Sequence, residues 1–319
     1  MGELLEGIVK AHSRILPYIK RTPILTSRTV DEMLGCKVYF KCENFQKMGA
    51  FKYRGACNAL LQLSEEQKQR GVITHSSGNH AQALALAAKQ MGIHAVIVMP
   101  ENAPLVKRNA TEGYGGEVIL CEATQKAREE TCASLIEKRG LTMIHPYDND
   151  NIIRGAGTAV KELLDEVGDL DVVITPVGGG GLLSGSSAYS KLSGKVGQVY
   201  GAEPTGADDA YRSLKEGKPL PQTDPRTIAD GLRTSLSQRT FEIISEYVDG
   251  IIPVTDDEII EAMKILFERM KIVVEPSGAT PLASLMKARE EGTVTEGSSV
   301  GLVLSGGNVD LSAFFESYR

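Results

Sequence analysis

Apolar segments that resemble buried strands alternate with segments that resemble helices along most of this chain. Residues 81–91 (AQALALAAKQM) predict a buried helix, and residues 95–99 (AVIVM) predict the strand that follows it. The same order recurs, with further strands predicted at 71–74, 117–121, 141–144, 171–177, 198–202 and 299–304, and helices at 125–138, 158–166, 256–270 and 278–289. This alternation is typical of an α/β protein with helices packed on mostly parallel sheets.

The length of the chain, 319 residues, allows two hydrophobic cores. The stretch 71–147 resembles a self-contained α/β unit inserted into a larger one, and the sequence contains no long linker or low-complexity tract. We therefore predict a small domain at 71–147 and a large domain formed by 1–70 together with 148–319.

The composition indicates which classes of partner the protein is expected to bind. A net charge of −6 and a pI near 5.6 count against nucleic acid, because binding a phosphate backbone needs a basic face. Neither a signal-peptide pattern nor an apolar run of roughly 18 residues is present. We expect a cytoplasmic protein without a membrane partner. The odd number of cysteines, without CxxC spacing, agrees with free thiols in a reducing compartment: Cys36, Cys42, Cys57, Cys121 and Cys132.

Four consecutive glycines directly follow the apolar run at 171–177: Gly178, Gly179, Gly180 and Gly181, called the glycine loop below. A backbone without Cβ atoms can turn several N–H groups onto one anion, and a helix N-terminus adds its positive dipole end. The alternative is a flexible turn, which needs only one or two glycines. The loop lacks the spacing of nucleotide and dinucleotide motifs, so it predicts a site for a smaller phosphate ligand.

Two further polar loops follow predicted strands. The first is SSGNH at residues 76–80, called the serine loop, which offers hydroxyl, amide and backbone donors suited to a carboxylate. Helix capping by a serine or by Asn79 is the alternative explanation. The second is SGGN at 305–308, called the terminal loop. Because ligands of open α/β sheets bind beyond the carboxyl ends of the strands, all three loops are candidates for one site.

The surroundings of Lys52 are unusual for a lysine. Most helical lysines are solvated surface residues. Here the sequence MGAFKYRG places glycines on both sides of the lysine and aromatic residues directly next to it. These residues alone leave open whether Lys52 reacts.

Four motifs in this order resemble a known family: GAFKYRG around Lys52, the serine loop, the glycine loop and the terminal loop. The chain is similar to the fold-type II pyridoxal-phosphate enzymes, which have the tryptophan synthase β-like fold. Within them it resembles the serine and threonine dehydratases, and most closely the eukaryotic-type serine racemases, from Thr22 to Asp310. The resemblance implies two lobes, each with a mostly parallel sheet flanked by helices, a pyridoxal 5'-phosphate cofactor, a small amino-acid substrate and a homodimer.

The resemblance also implies roles for individual residues. Lys52 would form the Schiff base with the cofactor and move a proton on one face of the substrate, and Ser77 would serve the opposite face. The cofactor would be bound by Lys52, Phe51, Asn79, Gly178, Gly179, Gly180, Gly181, Gly231 and Ser305. The hydroxyl of Ser305 would face the pyridine nitrogen without enforcing its protonation. The substrate would be bound by Ser76, Ser77, Asn79, His80 and Arg128.

The identity of residue 77 bears on the reaction. Racemisation needs a proton donor and acceptor on both faces of Cα, and the racemases carry serine here, whereas many threonine deaminases read SAGNH. We therefore expect a serine racemase that also dehydrates serine to pyruvate and ammonia. The alternatives are a catabolic threonine, serine or hydroxyaspartate dehydratase, or a non-catalytic amino-acid sensor, against which the retained Lys52 argues. The sequence ends soon after the terminal loop, so we expect no C-terminal regulatory domain.

Oxygen ligands cluster in AEPTGADDA at 202–210. The carboxylates of Glu203 and Asp209 and the carbonyl of Ala207 are of the kind that Mg²⁺ or Ca²⁺ accepts, although Asp208 or Asp209 capping the next helix is an alternative. The serine racemases place a divalent cation at the matching positions. The resemblance thus implies a structural or activating Mg²⁺, Ca²⁺ or Mn²⁺ site.

The chain departs from the family pattern at several positions. Ala50 replaces the common serine, Tyr147 stands where the animal enzymes carry an asparagine, and GAGT at 155–158 replaces GQGT. Positions that match an activating ATP site in the animal enzymes are Lys47, Gln82, Tyr114, Lys271 and Asn308, while Arg28, Thr29 and Met48 differ. We therefore do not predict ATP activation.

Overall fold

The computed structural model describes residues 2–310, which contain two separate β-sheets. With elements numbered in chain order, the larger sheet has the spatial order β1 (Ile24–Leu25), β2 (Lys37–Cys42), β10 (Ser299–Leu304), β7 (Leu170–Pro176), β8 (Val196–Pro204) and β9 (Gly250–Val254). The β1 strand is antiparallel to β2, and the other neighbouring strands are parallel. Strand β10 is apolar and buried along most of its length, as expected for a parallel sheet with both faces covered.

The smaller sheet is parallel throughout. Its four strands have the order β5 (Glu117–Cys121), β4 (Ala95–Pro100), β3 (Val72–His75) and β6 (Thr142–Met143). All four come from within 71–147, the span predicted for the small domain, and the division into two domains stays a prediction. The α/β class with parallel sheets and flanking helices is confirmed.

Within residues 2–310, thirteen α-helices surround the two sheets. They are α1 (Gly2–Ile15), α2 (Arg28–Leu34), α3 (Lys52–Leu61), α4 (Glu65–Arg70), α5 (Asn79–Gln90), α6 (Leu105–Gly113), α7 (Gln125–Arg139), α8 (Asp150–Val167), α9 (Gly181–Leu192), α10 (Asp209–Glu216), α11 (Gln238–Tyr247), α12 (Asp256–Met270) and α13 (Pro276–Glu290). None of these described helices combines the length and apolar character that crossing a membrane requires.

Several predicted bounds differ from those observed, most of all the start of the helix predicted at 158–166. The helix predicted at 158–166 begins eight residues earlier, at Asp150, because Asn149 caps it by accepting hydrogen bonds from the N–H groups of Asn151 and Ile152. The strand predicted at 141–144 is reduced to Thr142–Met143, the residues that pair with β3.

Glycines in α8 bring three helix backbones into contact. A Cβ atom on Gly155 would lie 2.7 Å from the carbonyl oxygen of Arg54 in α3, and one on Gly157 would lie 2.7 Å from that of Gly185 in α9. Glycine disfavours a helix interior by about 1 kcal/mol, but here it permits this close approach. Because α3 begins at Lys52 and α9 follows the glycine loop, α8 sets the distance between these two features.

A buried ionic cluster joins β2, α3 and α8. The Arg54 guanidinium lies 2.7 Å from the Glu43 carboxylate and 2.8 Å from Glu162, whose carboxylate is also 2.7 Å from the Lys41 ammonium. All four side chains are at most 2% exposed, and their charges balance. Burial alone would raise the pKa of Glu162, but hydrogen bonds from His12 and Arg54 hold it well below its usual range. The stability that this carboxylate contributes is therefore present above its usual pKa and lost as the pH falls through the lowered value.

Replacing Arg54 with methionine should destabilise the protein by about 3–5 kcal/mol, because the buried Glu43 would lose its ionic partner and Glu162 would keep only Lys41 as a buried cation. Equilibrium denaturation at neutral pH measures the change. The matched control is Arg21→Met, since Arg21 also pairs with a glutamate of α8, Glu166, but both side chains are about half exposed. The control should change stability by about 1 kcal/mol or less. Equal losses in both variants would contradict a stabilising role of the buried cluster.

Candidate active site

Lys52 is the first residue of α3 and lies in a half-buried position. Its ammonium donates a hydrogen bond to the carbonyl oxygen of Pro146 at 3.0 Å and lies 5.2 Å from the centre of the Phe51 ring. Burial lowers the pKa of the Lys52 amine to about 8. A larger fraction of the amine is therefore neutral near neutral pH than in an exposed lysine, which favours attack on a carbonyl carbon.

The glycine loop follows β7 and ends at Gly181, the first residue of α9, and its backbone is closely packed. Gly180 has a left-handed conformation, with φ of 86°, and precedes α9 without a side-chain cap. A Cβ atom on Gly178 would lie 2.9 Å from the Cα of Leu232, and one on Gly180 would lie 2.8 Å from the side chains of Leu236 and Thr240. The loop thus presents backbone N–H groups and a helix N-terminus where side chains do not fit, as a phosphate cradle requires.

The segment from His145 to Tyr147 connects Lys52 with the glycine loop. Pro146 accepts the hydrogen bond from Lys52, and the ring of the next residue, Tyr147, lies against Gly179. A Cβ atom on Gly179 would overlap that ring. The His145 ring packs edge-on against Tyr147, with 4.7 Å between ring centres. Lysine and glycine loop are therefore brought together by two consecutive residues of one short segment.

The serine loop connects β3 with α5. Ser76 accepts a hydrogen bond from the Gly78 N–H at 3.3 Å, and Ser77 is half-buried. Gly78 occupies the N-cap position of α5, so neither serine caps that helix with its side chain. His80 is buried, and burial followed by the charge of Lys52 lowers its pKa to about 3. Its Nε2 lies 3.1 Å from the carbonyl oxygen of Ile144, so the neutral ring donates through Nε2.

Ser305 and Gly231 lie on the larger-sheet side of the site. Ser305 directly follows β10, is 3% exposed, and accepts a hydrogen bond from the Phe51 N–H at 2.9 Å through its carbonyl oxygen. Gly231 donates its N–H to the Ser277 hydroxyl. A Cβ atom on Gly178 would lie 3.0 Å from the carbonyl oxygen of Gly231. The structure thus ties Ser305 to the residue before Lys52 and Gly231 to the glycine loop.

Among the described residues, the Arg128 side chain makes its hydrogen bond within its own helical region and none to the serine loop. Its guanidinium donates to the carbonyl oxygen of Thr124, the N-cap residue of α7, at 3.4 Å. It lies close enough to His75, the last residue of β3, to lower the pKa of that imidazole further below the value that burial sets. A role for Arg128 in binding substrate therefore stays a prediction.

The comparison with known families accounts for this arrangement. Residues 15–306 match the family model described as "Pyridoxal-phosphate dependent enzyme". The chain is a pyridoxal-phosphate dependent enzyme. The lysine beside a glycine cradle fits this cofactor, since an amine and an anion site are what its aldehyde and phosphate groups need. The predicted family membership and fold type are confirmed.

Relatives of this pyridoxal-phosphate dependent enzyme cover almost its full length. It is 52% identical over 311 residues to a serine racemase of Dictyostelium discoideum, which covers 97% of this chain and 96% of the relative. It is 46% identical to an L-threo-3-hydroxyaspartate ammonia-lyase of Saccharomyces cerevisiae, with coverage of 96% and 94%. The solved structure of maize serine racemase superposes with a TM-score of 0.95 at 43% identity, covering 98% of this chain and 96% of that one. These relatives are racemases and lyases, as the sequence predicts.

The carboxylates predicted to bind a cation lie beside β8 and α10 of the enzyme. Glu203 accepts hydrogen bonds from the N–H groups of Ala210 and Tyr211, both at 2.9 Å, so it caps α10. Asp208 occupies the N-cap position but makes no capping hydrogen bond with its side chain. Asp209 accepts from the Leu236 N–H through Oδ2, while its buried Oδ1 has no hydrogen-bond partner in the described chain.

Burial and neighbouring charge both change the pKa values of Glu203 and Asp209. Burial, and then the charge of Asp209, raise the pKa of Glu203 well above its usual range, and burial raises the pKa of Asp209 to about 6. Ala207 ends the short helical turn that precedes α10 and is buried. No group of three or more His, Cys, Asp and Glu side chains in residues 2–310 is placed to hold a metal ion. The pair supplies two carboxylates, so a cation here would need backbone or water oxygens as well.

Sequence reasoning missed Glu275. This side chain is 4% exposed and accepts hydrogen bonds from the Asn79 side chain at 2.8 Å and the Asn308 N–H at 3.0 Å. Its only signal is a single acidic residue before the helix start PSG, which resembles an ordinary N-cap. The contact with Asn79 depends on a pairing between distant segments that no local pattern contains.

Proposed function

We propose that the enzyme interconverts L- and D-serine and also eliminates water from serine to give pyruvate and ammonia. The observation that carries the proposal is the 146–147 segment, which contacts both the Lys52 amine and the glycine loop. The high identity to serine racemases over nearly the whole chain supports serine as the substrate.

Two of the features that would hold the cofactor, Lys52 and the glycine loop, contact this segment. The glycine loop would bind the phosphate through its N–H groups, Lys52 would bind the aldehyde carbon covalently, and the Ser305 hydroxyl would face the ring nitrogen. Asn79 would donate a hydrogen bond to the ring hydroxyl. When bound, the cofactor withdraws electrons from the substrate Cα and so makes its proton acidic. Lys52, Phe51 and Ser305 already form one unit through the hydrogen bond between Phe51 and Ser305.

The two reactions would share their first step. Lys52 would remove the Cα proton of L-serine from one face, and Ser77 would return a proton from the opposite face to give D-serine. Loss of the β-hydroxyl in place of reprotonation would give elimination. The serine loop, with Ser76, Ser77, Asn79 and the His80 backbone, would hold the substrate carboxylate, as its position at the start of α5 favours.

A second candidate function is dehydration of hydroxyaspartate, which the 46% identity to a hydroxyaspartate ammonia-lyase favours. Incubation with L-serine, D-serine, L-threonine and L-threo-3-hydroxyaspartate separates the two, with chiral chromatography and keto-acid detection run on the same samples. The racemase proposal expects D-serine from L-serine together with pyruvate. Keto acid from hydroxyaspartate without any D-serine would assign the chain to the lyases.

We also propose a divalent-cation site formed by Glu203, Asp209 and the Ala207 carbonyl. Two adjacent buried carboxylates with an unpartnered oxygen fit a hard cation such as Mg²⁺, Ca²⁺ or Mn²⁺, whose charge would offset their mutual repulsion. The ion would stabilise the loop that joins β8 and α10 and would take no part in redox chemistry.

Added Mg²⁺ or Ca²⁺ should raise the melting temperature of chelator-treated protein. An ion that binds only the folded state and is present at a concentration of a hundred times its Kd stabilises that state by about 2.7 kcal/mol. Asp209→Asn should abolish this ion-dependent rise while it keeps the hydrogen bond from Leu236. Asp208→Asn is the control, because Asp208 is paired with Arg212 near the surface. A melting temperature that does not respond to either ion in the wild-type protein would exclude the site.

Two broader features belong to the proposal. The side chains of Phe45, Phe267 and Val273 are exposed and apolar and would lie at a homodimer interface. The Asn44 side chain, next to Phe45, donates a hydrogen bond to the Val273 carbonyl oxygen at 3.1 Å. Light scattering of the wild-type protein and of Phe267→Glu tests this assembly.

The five cysteines are buried and free, which agrees with a cytoplasmic location.

A further inference from the structure

The carboxylate of Glu275 is turned away from its own helix. Glu275 occupies the N-cap position of α13 but makes no capping hydrogen bond with its side chain. Its Oε1 accepts from the Asn79 Nδ2 at 2.8 Å, and its Oε2 accepts from the Asn308 N–H at 3.0 Å. The backbone N–H of Glu275 donates to Gly306 at 3.0 Å, so the residue is held on both sides by the terminal loop.

These contacts determine which way the Asn79 amide faces. An ionised carboxylate can only accept hydrogen bonds, so it selects the NH₂ end of the amide. Asn308 completes the arrangement, since its Nδ2 donates to the Asn79 Oδ1 at 2.9 Å and to the Met48 carbonyl oxygen at 2.8 Å. In the described chain this leaves one hydrogen on the Asn79 Nδ2 without a partner.

We propose that Glu275 is a positioning residue that orients the Asn79 amide so that its remaining N–H donates to the cofactor ring hydroxyl. The inference rests on the proposed function, in which Asn79 contacts that hydroxyl. Glu275 itself acts through Asn79, which comes from the start of α5 beside the smaller sheet, whereas Glu275 and Asn308 come from the side of the larger sheet.

Protonation of Glu275 would release this constraint. Burial raises the pKa of Glu275 to about 7, against the lowering effect of the hydrogen bond from Asn79. The other charged groups that face it are Asp230, which raises the pKa, and Lys107, which lowers it, and these two are paired with each other. A protonated Glu275 can donate a hydrogen bond as well as accept one, so below a pH of about 7 it no longer selects the NH₂ end of the Asn79 amide and Asn308 alone holds that orientation.

The test is a double-mutant cycle between Glu275→Gln and Asn79→Ala in the holoenzyme, read by the absorbance spectrum of the bound cofactor and by its Kd. Glutamine has nearly the same shape as glutamate, but one of its two terminal groups is an NH₂ donor. That donor would have to face either the Asn79 Nδ2 or the Asn308 N–H, which are donors themselves. We expect Glu275→Gln to shift the spectrum and weaken cofactor binding about tenfold, as for a lost hydrogen bond to a charged group. In the Asn79→Ala background the same change should have no further effect. Glu291→Gln, at the exposed end of α13, is the control.

A second measurement is the pH titration of the cofactor spectrum. The spectrum of the wild-type holoenzyme should titrate with a midpoint near 7, with tighter cofactor binding above it, and this titration should be missing from Glu275→Gln. Additive effects of the two substitutions, or the same titration in both proteins, would overturn the inference and leave the proposed function standing. A wild-type chain that carries no cofactor on Lys52 would overturn both.

Discussion

Replacing Lys52 with alanine should abolish the racemase and dehydratase activities together and leave the cofactor bound only non-covalently. The variant removes both the amine that would hold the cofactor and the group that would move the Cα proton. General acid–base groups alone contribute about 10²- to 10⁴-fold, so the combined loss should exceed that range. The lowered pKa of this amine, about 8, is what a lysine needs to react near neutral pH.

Borohydride reduction followed by peptide mapping measures the attachment directly. The pyridoxyl label should appear on the peptide that contains Lys52 and be missing from Lys52→Ala. Lys68→Ala is the matched control, since Lys68 lies on the neighbouring helix α4 and its ammonium pairs with Glu65. A label on any other lysine of the wild-type protein would refute the assignment.

The sequence predicted the elements whose signal is local. Helix α12 and strands β5 and β10 have the predicted bounds. In each of them the residues at the two ends differ visibly from the apolar or amphipathic pattern, so the boundary can be found in the local sequence. The first half of α8 was missed because Gly155 and Gly157 resemble a helix break. Only the contacts with α3 and α9 show that glycine is needed there for close packing.

The same distinction holds for the candidate site. Lys52 and the three loops could be found from motifs, because each motif is continuous in the chain. Glu275 and the buried cluster around Arg54 could not, since their partners lie far away in the sequence. The sequence shows that Tyr147 departs from the family pattern, but only the structure shows that its ring contacts Gly179.

Replacing Ser77 with alanine should reduce the production of D-serine from L-serine by about 10²- to 10⁴-fold, the usual contribution of a general acid or base. Elimination from L-serine should survive much better, because Lys52 can still remove the proton of that enantiomer. Elimination from D-serine should be lost, since its Cα proton faces Ser77. Steady-state kinetics with each enantiomer, followed by chiral product and pyruvate, measures the difference.

The competing explanation is that Ser77 only binds the substrate carboxylate. Binding would be the same for both enantiomers, so it predicts comparable losses that come mainly from KM. Ser76→Ala is the matched control, because Ser76 lies in the same loop and its hydroxyl accepts from the Gly78 N–H. That variant should affect L- and D-serine equally. Equal effects of Ser77→Ala on the two enantiomers would make Ser77 a binding residue, and the dehydratase would then describe this enzyme better than the racemase.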